Sequence, residues 1–284
     1  MKITKIKEVT QYIHNTLKGI YPDNEINSLI ELIYEKKVNL KKTDRLLDPD
    51  YKLAPSTILE IQKIVQQLEN LVPVQYILGE TMFYDLNLNV NKNVLIPRQE
   101  TEELVDWIIR EQHDSPKILD IGTGSGCIAI ALAKFIPQAS LYAIDYNKQT
   151  LDTARKNAEK NNVSIQFIEA DILSEQPSLP DMDIIVSNPP YIMNSEKQFM
   201  HKNILDFEPS ESLFVADFNS LIFYHKIADY AKKYLSTNGL LYFEINENKA
   251  EDIDALLREK GFHGITIQKD INGKARMIKA MQHG

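Results

Sequence analysis

Four consecutive residues, Asn188-Pro189-Pro190-Tyr191, carry the chemistry that is easiest to specify in this chain of 284 residues. They follow Asp183-Ile184-Ile185-Val186-Ser187, a run whose β-branched aliphatic residues read as a buried strand. Proline has no N–H and disfavours a helical conformation in the residue before it, so the backbone must leave the sheet extended. The Asn188 side chain and the Pro189 carbonyl are then acceptors at the strand's carboxyl end, beside the aromatic face of Tyr191. Open α/β sheets bind ligands at that end. Two acceptors and a flat ring suit a planar NH2 group conjugated to a carbonyl or a heteroaromatic ring. Such a nitrogen is a poor nucleophile because its lone pair is delocalised. Acceptors that hold both N–H groups aim it, and they stabilise the positive charge that grows on it during attack.

A second constellation supplies the electrophile's site. Lys117–Ile121 reads as a strand, and Gly122-Thr123-Gly124-Ser125-Gly126 is a loop that permits a tight turn and close backbone approach of a ligand. The dinucleotide pattern wants its third glycine where this chain has Cys127, and no lysine of a phosphate-binding loop is present. Asp145 ends the next strand, where ribose hydroxyls would lie. Asp171 ends the one after it, placed to accept from an adenine amino group, with Ile172 packing on the ring. Loop and acids together favour an adenosyl ligand, and S-adenosylmethionine fits best. Glu244, also at a strand end, reads equally as structural or functional. The six histidines show no metal-ligand spacing, and small-residue packing is the expectation for Cys127.

The elements that must position these residues follow from periodicity. Ile3, Ile6, Val9, Ile13, Leu17 and Ile20 make a helical stripe, and Ile26, Leu29, Ile30 and Ile33 a second. A short helix or turn is expected at Asp44–Tyr51, and Pro55-Ser56 starts a helix carrying Ile58, Ile61, Ile64, Val65 and Leu68. Leu71–Arg98 reads as a β-hairpin: Gln75–Gly79 is apolar, Met82–Val90 alternates, Asn91-Lys92-Asn93 turns, and Val94–Ile96 returns. A helix is expected over Glu100–Arg110. From Lys117 onward strands alternate with helices, the sign of a parallel sheet with crossover helices. Asn194–Ser212 reads as a polar loop, and two strands joined by Asp270–Gly273 close the chain. The expected architecture is α/β, a seven-stranded Rossmann-like domain over 99–284, a helical bundle over 1–72, and a hairpin linker over 73–98.

Charge narrows the function classes. Residues 1–75 are nearly neutral, with 11 basic and 10 acidic side chains, so the remainder carries a net charge of −9. Duplex-binding enzymes need a basic footprint, which argues against direct nucleic-acid binding. No apolar run reaches the length of a membrane helix. The opening Met1–Lys7 alternates charged with apolar residues instead of building a signal-peptide core. The single cysteine, Cys127, fits a reducing compartment. A cytoplasmic monomer is expected.

The motifs extend further. Pro73-Val74-Gln75-Tyr76-Ile77-Leu78-Gly79, then Phe83, then Ile96-Pro97-Arg98 with Glu100-Thr101-Glu102, resemble the peptide chain release factor glutamine methyltransferases, the PrmC/HemK group. Glu208-Pro209, Tyr224, Glu244 and Asp270, Gly273 and Arg276 match that group's pattern as well. The resemblance covers about residues 71–284. It implies methyl transfer from S-adenosylmethionine to the side-chain amide of the glutamine in a Gly-Gly-Gln motif. It also implies that Gly122–Gly126, Asp145, Ile172 and Asn188 line the cofactor, and that Asn188–Tyr191 hold the glutamine amide. Phe83 and Arg98 would sit near the substrate mouth, and the N-terminal bundle would grip the release factor away from its tip. A glutamine methyltransferase for a large-subunit ribosomal protein and a nucleic-acid adenine methyltransferase share the tetrapeptide and stay open as alternatives.

Overall fold

The computed structural model describes residues 4–111 and 113–283. Ile3, counted in the first apolar stripe, lies outside the described residues. The chain forms two compact units: one runs to Gly79 and includes Lys202–Phe207, and the other holds Glu80–His201 and the chain from Glu208 onward.

The first unit is helical, with α1 (Ile6–Leu17), α2 (Asp23–Val38), α3 (Lys42–Leu47), α4 (Pro55–Glu69) and α5 (Val74–Leu78). Apolar side chains three and four positions apart share a helix face, which is why Ile6, Val9, Ile13 and Leu17 of α1 are buried together. They meet Ile26, Leu29, Ile30 and Ile33 of α2 and Ile58, Ile61, Ile64, Val65 and Leu68 of α4 in one core. Tyr34 is wholly buried there, and its hydroxyl donates to the Ile6 carbonyl (3.0 Å), so the ring brings no unpaired polar tip. The stripe ends at Leu17. Ile20, expected within it, is 41% exposed because the chain turns at Gly19 with φ 88°.

The second unit opens with β1 (Glu80–Phe83) and β2 (Leu86–Asn89), an antiparallel hairpin in which Phe83 pairs with Leu86. The hairpin is shorter and turns earlier than expected. Gln75–Leu78 belongs to helical α5, and the turn is Tyr84-Asp85, with φ of 46° and 59°, instead of Asn91-Lys92-Asn93. Two residues with positive φ match the twist of the flanking strands. This turn puts odd-numbered Phe83 and even-numbered Leu86 on one face, which a single unbroken alternation over Met82–Val90 cannot do.

There follow α6 (Gln99–Arg110), β3 (Lys117–Ile121), α7 (Cys127–Phe135), β4 (Ser140–Asp145), α8 (Lys148–Lys160), β5 (Ile165–Glu169), β6 (Met182–Ser187) and β7 (Ile192–Met193). The chain continues through α9 (Lys202–Phe207), β8 (Phe214–Val215), α10 (Ile222–Tyr234), β9 (Leu235–Glu244), α11 (Ala250–Glu259), β10 (His263–Lys269) and β11 (Ala275–Met281). The main sheet of the described residues has seven strands in the order β10-β11-β9-β6-β3-β4-β5. The five from β9 to β5 run parallel, and β11 runs antiparallel to both its neighbours, β9 and β10. Central β6 is buried on both faces, as parallel strands under crossover helices must be. Ile184 and Val186 pack with Leu104 and Ile108 of α6 and Ile128 of α7, while Ile185 packs with Tyr224 and Ile227 of α10.

The segment Asn194–Ser212, expected as a polar loop, holds a 3-10 helix over Asn194–Phe199, α9 and a 3-10 turn at Ser210–Ser212, and β7 pairs with β8 in parallel. Elements of two to six residues are too short to print a period on the sequence. No helix among the described residues is long and apolar enough to cross a membrane.

Candidate active site

Ile121 and Ser187 are register partners in the β3–β6 ladder. The glycine loop and the Asn188 tetrapeptide therefore leave neighbouring parallel strands side by side. The sheet continues to β4 and β5 on one side and to β9 on the other, so this is the point where the winding reverses and a crevice must open. A cleft of about 460 Å³ lies there, within the usual range for small-molecule sites.

Gly122, Gly124, Asp145, Asp171, Ile172 and Asn188, all expected at a ligand, line this cleft together with Pro189 and Pro190. Gly122 and Gly124 have φ of 75° and 57°, and a Cβ built on either meets nothing within 4 Å among the described residues. Their backbones are thus open-faced toward a ligand, the feature an adenosyl cofactor needs. Thr123, Ser125 and Gly126 shape the loop from behind. Thr123 and Ser125 are buried, the Thr123 hydroxyl donates to Asp120 Oδ2 (2.6 Å), and a Cβ at Gly126 would sit 2.9 Å from Ile130 Cδ1.

Asp145 Oδ2 accepts from the Gly124 N–H and Oδ1 from the Asn147 N–H, each at 3.0 Å. Burial pushes its carboxyl pKa up, and these N–H groups oppose the rise. Each oxygen keeps a further lone pair for a ribose hydroxyl. Asp171 holds its own turn, with Oδ1 accepting from the Leu173 N–H (2.9 Å) and Oδ2 from the Ser174 hydroxyl (3.0 Å). The donor set fits S-adenosylmethionine: acidic acceptors for ribose and adenine, and an open backbone loop where no phosphate-binding lysine is needed.

At β6 the Asn188 Nδ2 donates to Thr101 Oγ1 (3.1 Å), and the Thr101 hydroxyl donates to Glu244 Oε2 (2.6 Å). Glu244 is 1% exposed, and its other oxygen accepts from the Tyr191 hydroxyl at 2.9 Å. Burial, reinforced by the Glu244 charge, pushes the Tyr191 phenol well above its ordinary pKa, and burial raises that of Glu244 too. Tyr191 is thereby a fixed neutral ring, pinned by its hydroxyl. Desolvation pushes the Cys127 thiol up to about 12, so it stays protonated at neutral pH.

Neither of the residues expected near the substrate mouth, Phe83 and Arg98, lines the cleft. Phe83 is wholly buried under the hairpin, packed with Leu86, Leu88 and Leu104, because the two-residue turn directs it inward. Arg98 pairs with Glu208 Oε1 (2.6 Å), whose Oε2 accepts from the Ile96 N–H (3.2 Å); the next residue, Pro209, lines the cleft. Arg98 therefore holds the cleft's border from behind.

Some residues escaped sequence reasoning. Asn157 is wholly buried on α8, donates to the carbonyls of Asn89 and Ser125 (2.9 Å each), and accepts from the Asn89 N–H (2.6 Å). It ties the glycine loop to the hairpin. Thr101 had no role beyond its motif. The available signal was a polar side chain on an apolar helix stripe: Thr101 shares a face with Leu104, Val105 and Ile108, and Asn157 with Leu151, Ala154 and Ala158.

The doubly wound sheet, the open glycine loop and the acceptor pair at β6 define an S-adenosylmethionine-dependent methyltransferase. Its fold is similar to that of a methyltransferase from Pyrococcus furiosus, with a TM-score of 0.53 at 16% identity over 71% of this chain and 91% of that one. Residues 100–207 match the methyltransferase small domain family, and residues 8–79 match the PrmC N-terminal domain. The release factor glutamine methyltransferase of Flavobacterium psychrophilum is 49% identical over 95% of this chain and 96% of its own length. That of Bacteroides thetaiotaomicron is 39% identical over 97% and 99%. The chain belongs to the release factor glutamine methyltransferase family.

Proposed function

We propose that this enzyme methylates the side-chain amide nitrogen of the glutamine in the Gly-Gly-Gln motif of peptide chain release factors. The observation that carries this reading is Asn188 at the cleft, with one N–H of its amide given to Thr101, which leaves Oδ1 to accept. Asn188 Oδ1 and the Pro189 carbonyl accept the two N–H groups of the substrate amide, and the pinned Tyr191 ring packs on its plane. The bound cofactor supplies an electrophilic methyl group on a sulfonium. The two acceptors aim the amide nitrogen at it and stabilise the charge that develops on that nitrogen. Gly122–Gly126, Asp145, Asp171 and Ile172 serve the cofactor, and Phe83 and Arg98 support the mouth from behind. The helical segment over 1–72 grips the release factor away from its tip, with 73–98 as the linker to the catalytic domain over 99–284. The enzyme acts as a cytoplasmic monomer and needs no nucleic acid, in keeping with the net charge of −9 beyond residue 75.

The test offers labelled S-adenosylmethionine together with a release factor, its Gly-Gly-Gln→Gly-Gly-Ala variant, large-subunit ribosomal proteins and a DNA duplex. Label on the wild-type release factor alone is the expected result. Label on DNA would replace this reading with adenine methylation, and label on a ribosomal protein would move the target.

A further inference from the structure

Asn188 is useful only in one of its two amide orientations. With Oδ1 toward the cleft it accepts an N–H of the substrate; rotated by half a turn it presents a second NH2 group and repels it. Nothing in the Asn188 side chain itself selects between the two, since oxygen and NH2 are nearly the same size. The selection must come from its partner inside the protein.

That partner is Thr101, in the first turn of α6. A threonine hydroxyl has a single proton, and the 2.6 Å contact to Glu244 Oε2 takes it, because a carboxylate outcompetes an amide as acceptor. The remaining Thr101 lone pairs can only accept, which demands the NH2 end of Asn188 at 3.1 Å. The flipped amide would set Oδ1 against an oxygen with no proton to give. Glu244 stands at the end of β9 and accepts from the Tyr191 hydroxyl with its second oxygen, so one carboxylate orients both polar side chains of the tetrapeptide. Burial opposes its ionised form and Glu100 adds to that, while the hydrogen bonds from Thr101 and Tyr191 and the positive charge of Arg276 of β11 favour it. Arg276 is itself held by Asp270 (3.2 Å) and the Ile245 carbonyl (3.4 Å). The turn Asp270–Gly273, whose Asp270 Oδ1 accepts from the N–H groups of Asn272 and Lys274, thereby acquires a purpose: its Asp270 holds the Arg276 guanidinium, whose charge acts on Glu244.

We propose that Thr101 and Glu244 are positioning residues for methyl transfer, a relay of fixed polarity that holds the Asn188 amide with its oxygen toward the substrate and pins the Tyr191 ring. The relay rests on the function proposed above, and it makes a specific claim about substitutions. Thr101→Val keeps the shape and deletes the acceptor, so the amide is free to rotate. Glu244→Gln presents an NH2 group that can donate to Thr101. The Thr101 hydroxyl then turns toward Asn188 and draws Oδ1 away from the cleft.

Thr101→Val, Thr101→Ser and Glu244→Gln are assayed for methyl transfer and for the affinity of S-adenosylhomocysteine. The side-chain NH2 signal of Asn188 is followed by 15N NMR in the same proteins without substrate. Thr101→Val is expected to lower kcat about 10- to 100-fold, the usual scale for losing a group that orients a functional side chain. The KM for S-adenosylmethionine should stay within about threefold. Thr101→Ser should restore kcat, and the Asn188 NH2 signal should lose its hydrogen-bonded shift in Thr101→Val and keep it in Thr101→Ser. Glu244→Gln should lower kcat with the cofactor still bound. A Thr101→Val enzyme with wild-type kcat, or an Asn188 signal unchanged by Thr101→Val, overturns the relay. If wild-type enzyme methylates no release factor, the substrate reading falls, and the Asn188 signal alone then decides the relay.

Discussion

Asp120, at the carboxyl end of β3, offers a quantitative test of how the glycine loop is built. Its side chain is wholly buried and accepts from the Thr123 hydroxyl at 2.6 Å, which locks the first turn of the loop. Burial pushes its pKa up to about 7 from an ordinary 3.8, against the pull of that hydroxyl and with a small push from the Asp145 charge. The sign follows from proton counts. Between pH 4 and 7 the folded protein keeps a proton that the unfolded chain has lost, so stability falls as pH rises through this window. A gap of about three pH units, at 1.36 kcal/mol each, corresponds to about 4 kcal/mol, fully present at low pH and gone above the folded-state value. Between pH 5 and pH 8 the loss is about 3 kcal/mol. Asp120→Asn cannot titrate, so its stability relative to wild type should improve by about that amount over the same interval, whatever its offset at pH 5. Asp145 and Glu244, whose pKa values are also raised, are common to both proteins and largely cancel in the comparison. Urea unfolding followed by tryptophan fluorescence is the assay. The single tryptophan, Trp107, packs edge-on against Tyr242 of β9 at 5.5 Å and reports the unit that holds Asp120. Parallel stability profiles for the two proteins from pH 5 to pH 8 would refute the reasoning.

Four further substitutions separate the roles of neighbouring residues. Gly124→Ala should cost about 1–2 kcal/mol for its positive φ while sharply weakening S-adenosylhomocysteine binding, since its new methyl meets no atom of the described residues within 4 Å and points into open space. Gly126→Ala, whose methyl would strike Ile130 and Ala154, should lose about 1–3 kcal/mol more from overpacking. Equal melting temperatures for the two would contradict this. Asp145→Ala should weaken cofactor binding about 10- to 100-fold, the scale of charged hydrogen bonds, measured by calorimetry; an unchanged affinity would remove Asp145 from the site. Asn188→Ala should leave S-adenosylhomocysteine affinity within about threefold and lower kcat about 10²- to 10³-fold, as for removal of one preorganised group at a reacting centre. Unchanged turnover would sink the role given to Asn188.

Periodicity and punctuation carried most of the architecture. A strand buried on both faces must be continuously apolar, and a glycine loop or a double proline must end it, so β3 and β6 and the residues that follow them were legible from Lys117 and Asp183 onward. The helical stripes of the first unit were equally plain, because three- and four-residue spacing has no other use. The resemblance of Pro73–Gly79, Ile96–Arg98 and Asn188–Tyr191 to one family then narrowed the chemistry beyond what spacing alone allowed.

Three-dimensional packing decided the rest. The hairpin turn at Tyr84-Asp85 reversed the parity of the alternation and sent Phe83 into the core. The short helices of Asn194–Ser212 depend on tertiary support that leaves no period to read. Above all, Thr101, Asn188, Tyr191 and Glu244 come from α6, β9 and the segment after β6, up to 143 residues apart. A side-chain hydrogen bond depends on ångström distances between elements, and local sequence encodes only the faces those elements present. The acceptors of Asn188-Pro189-Pro190-Tyr191 are therefore written in the chain, whereas the direction in which Asn188 points is set only when α6 and β9 pack against β6.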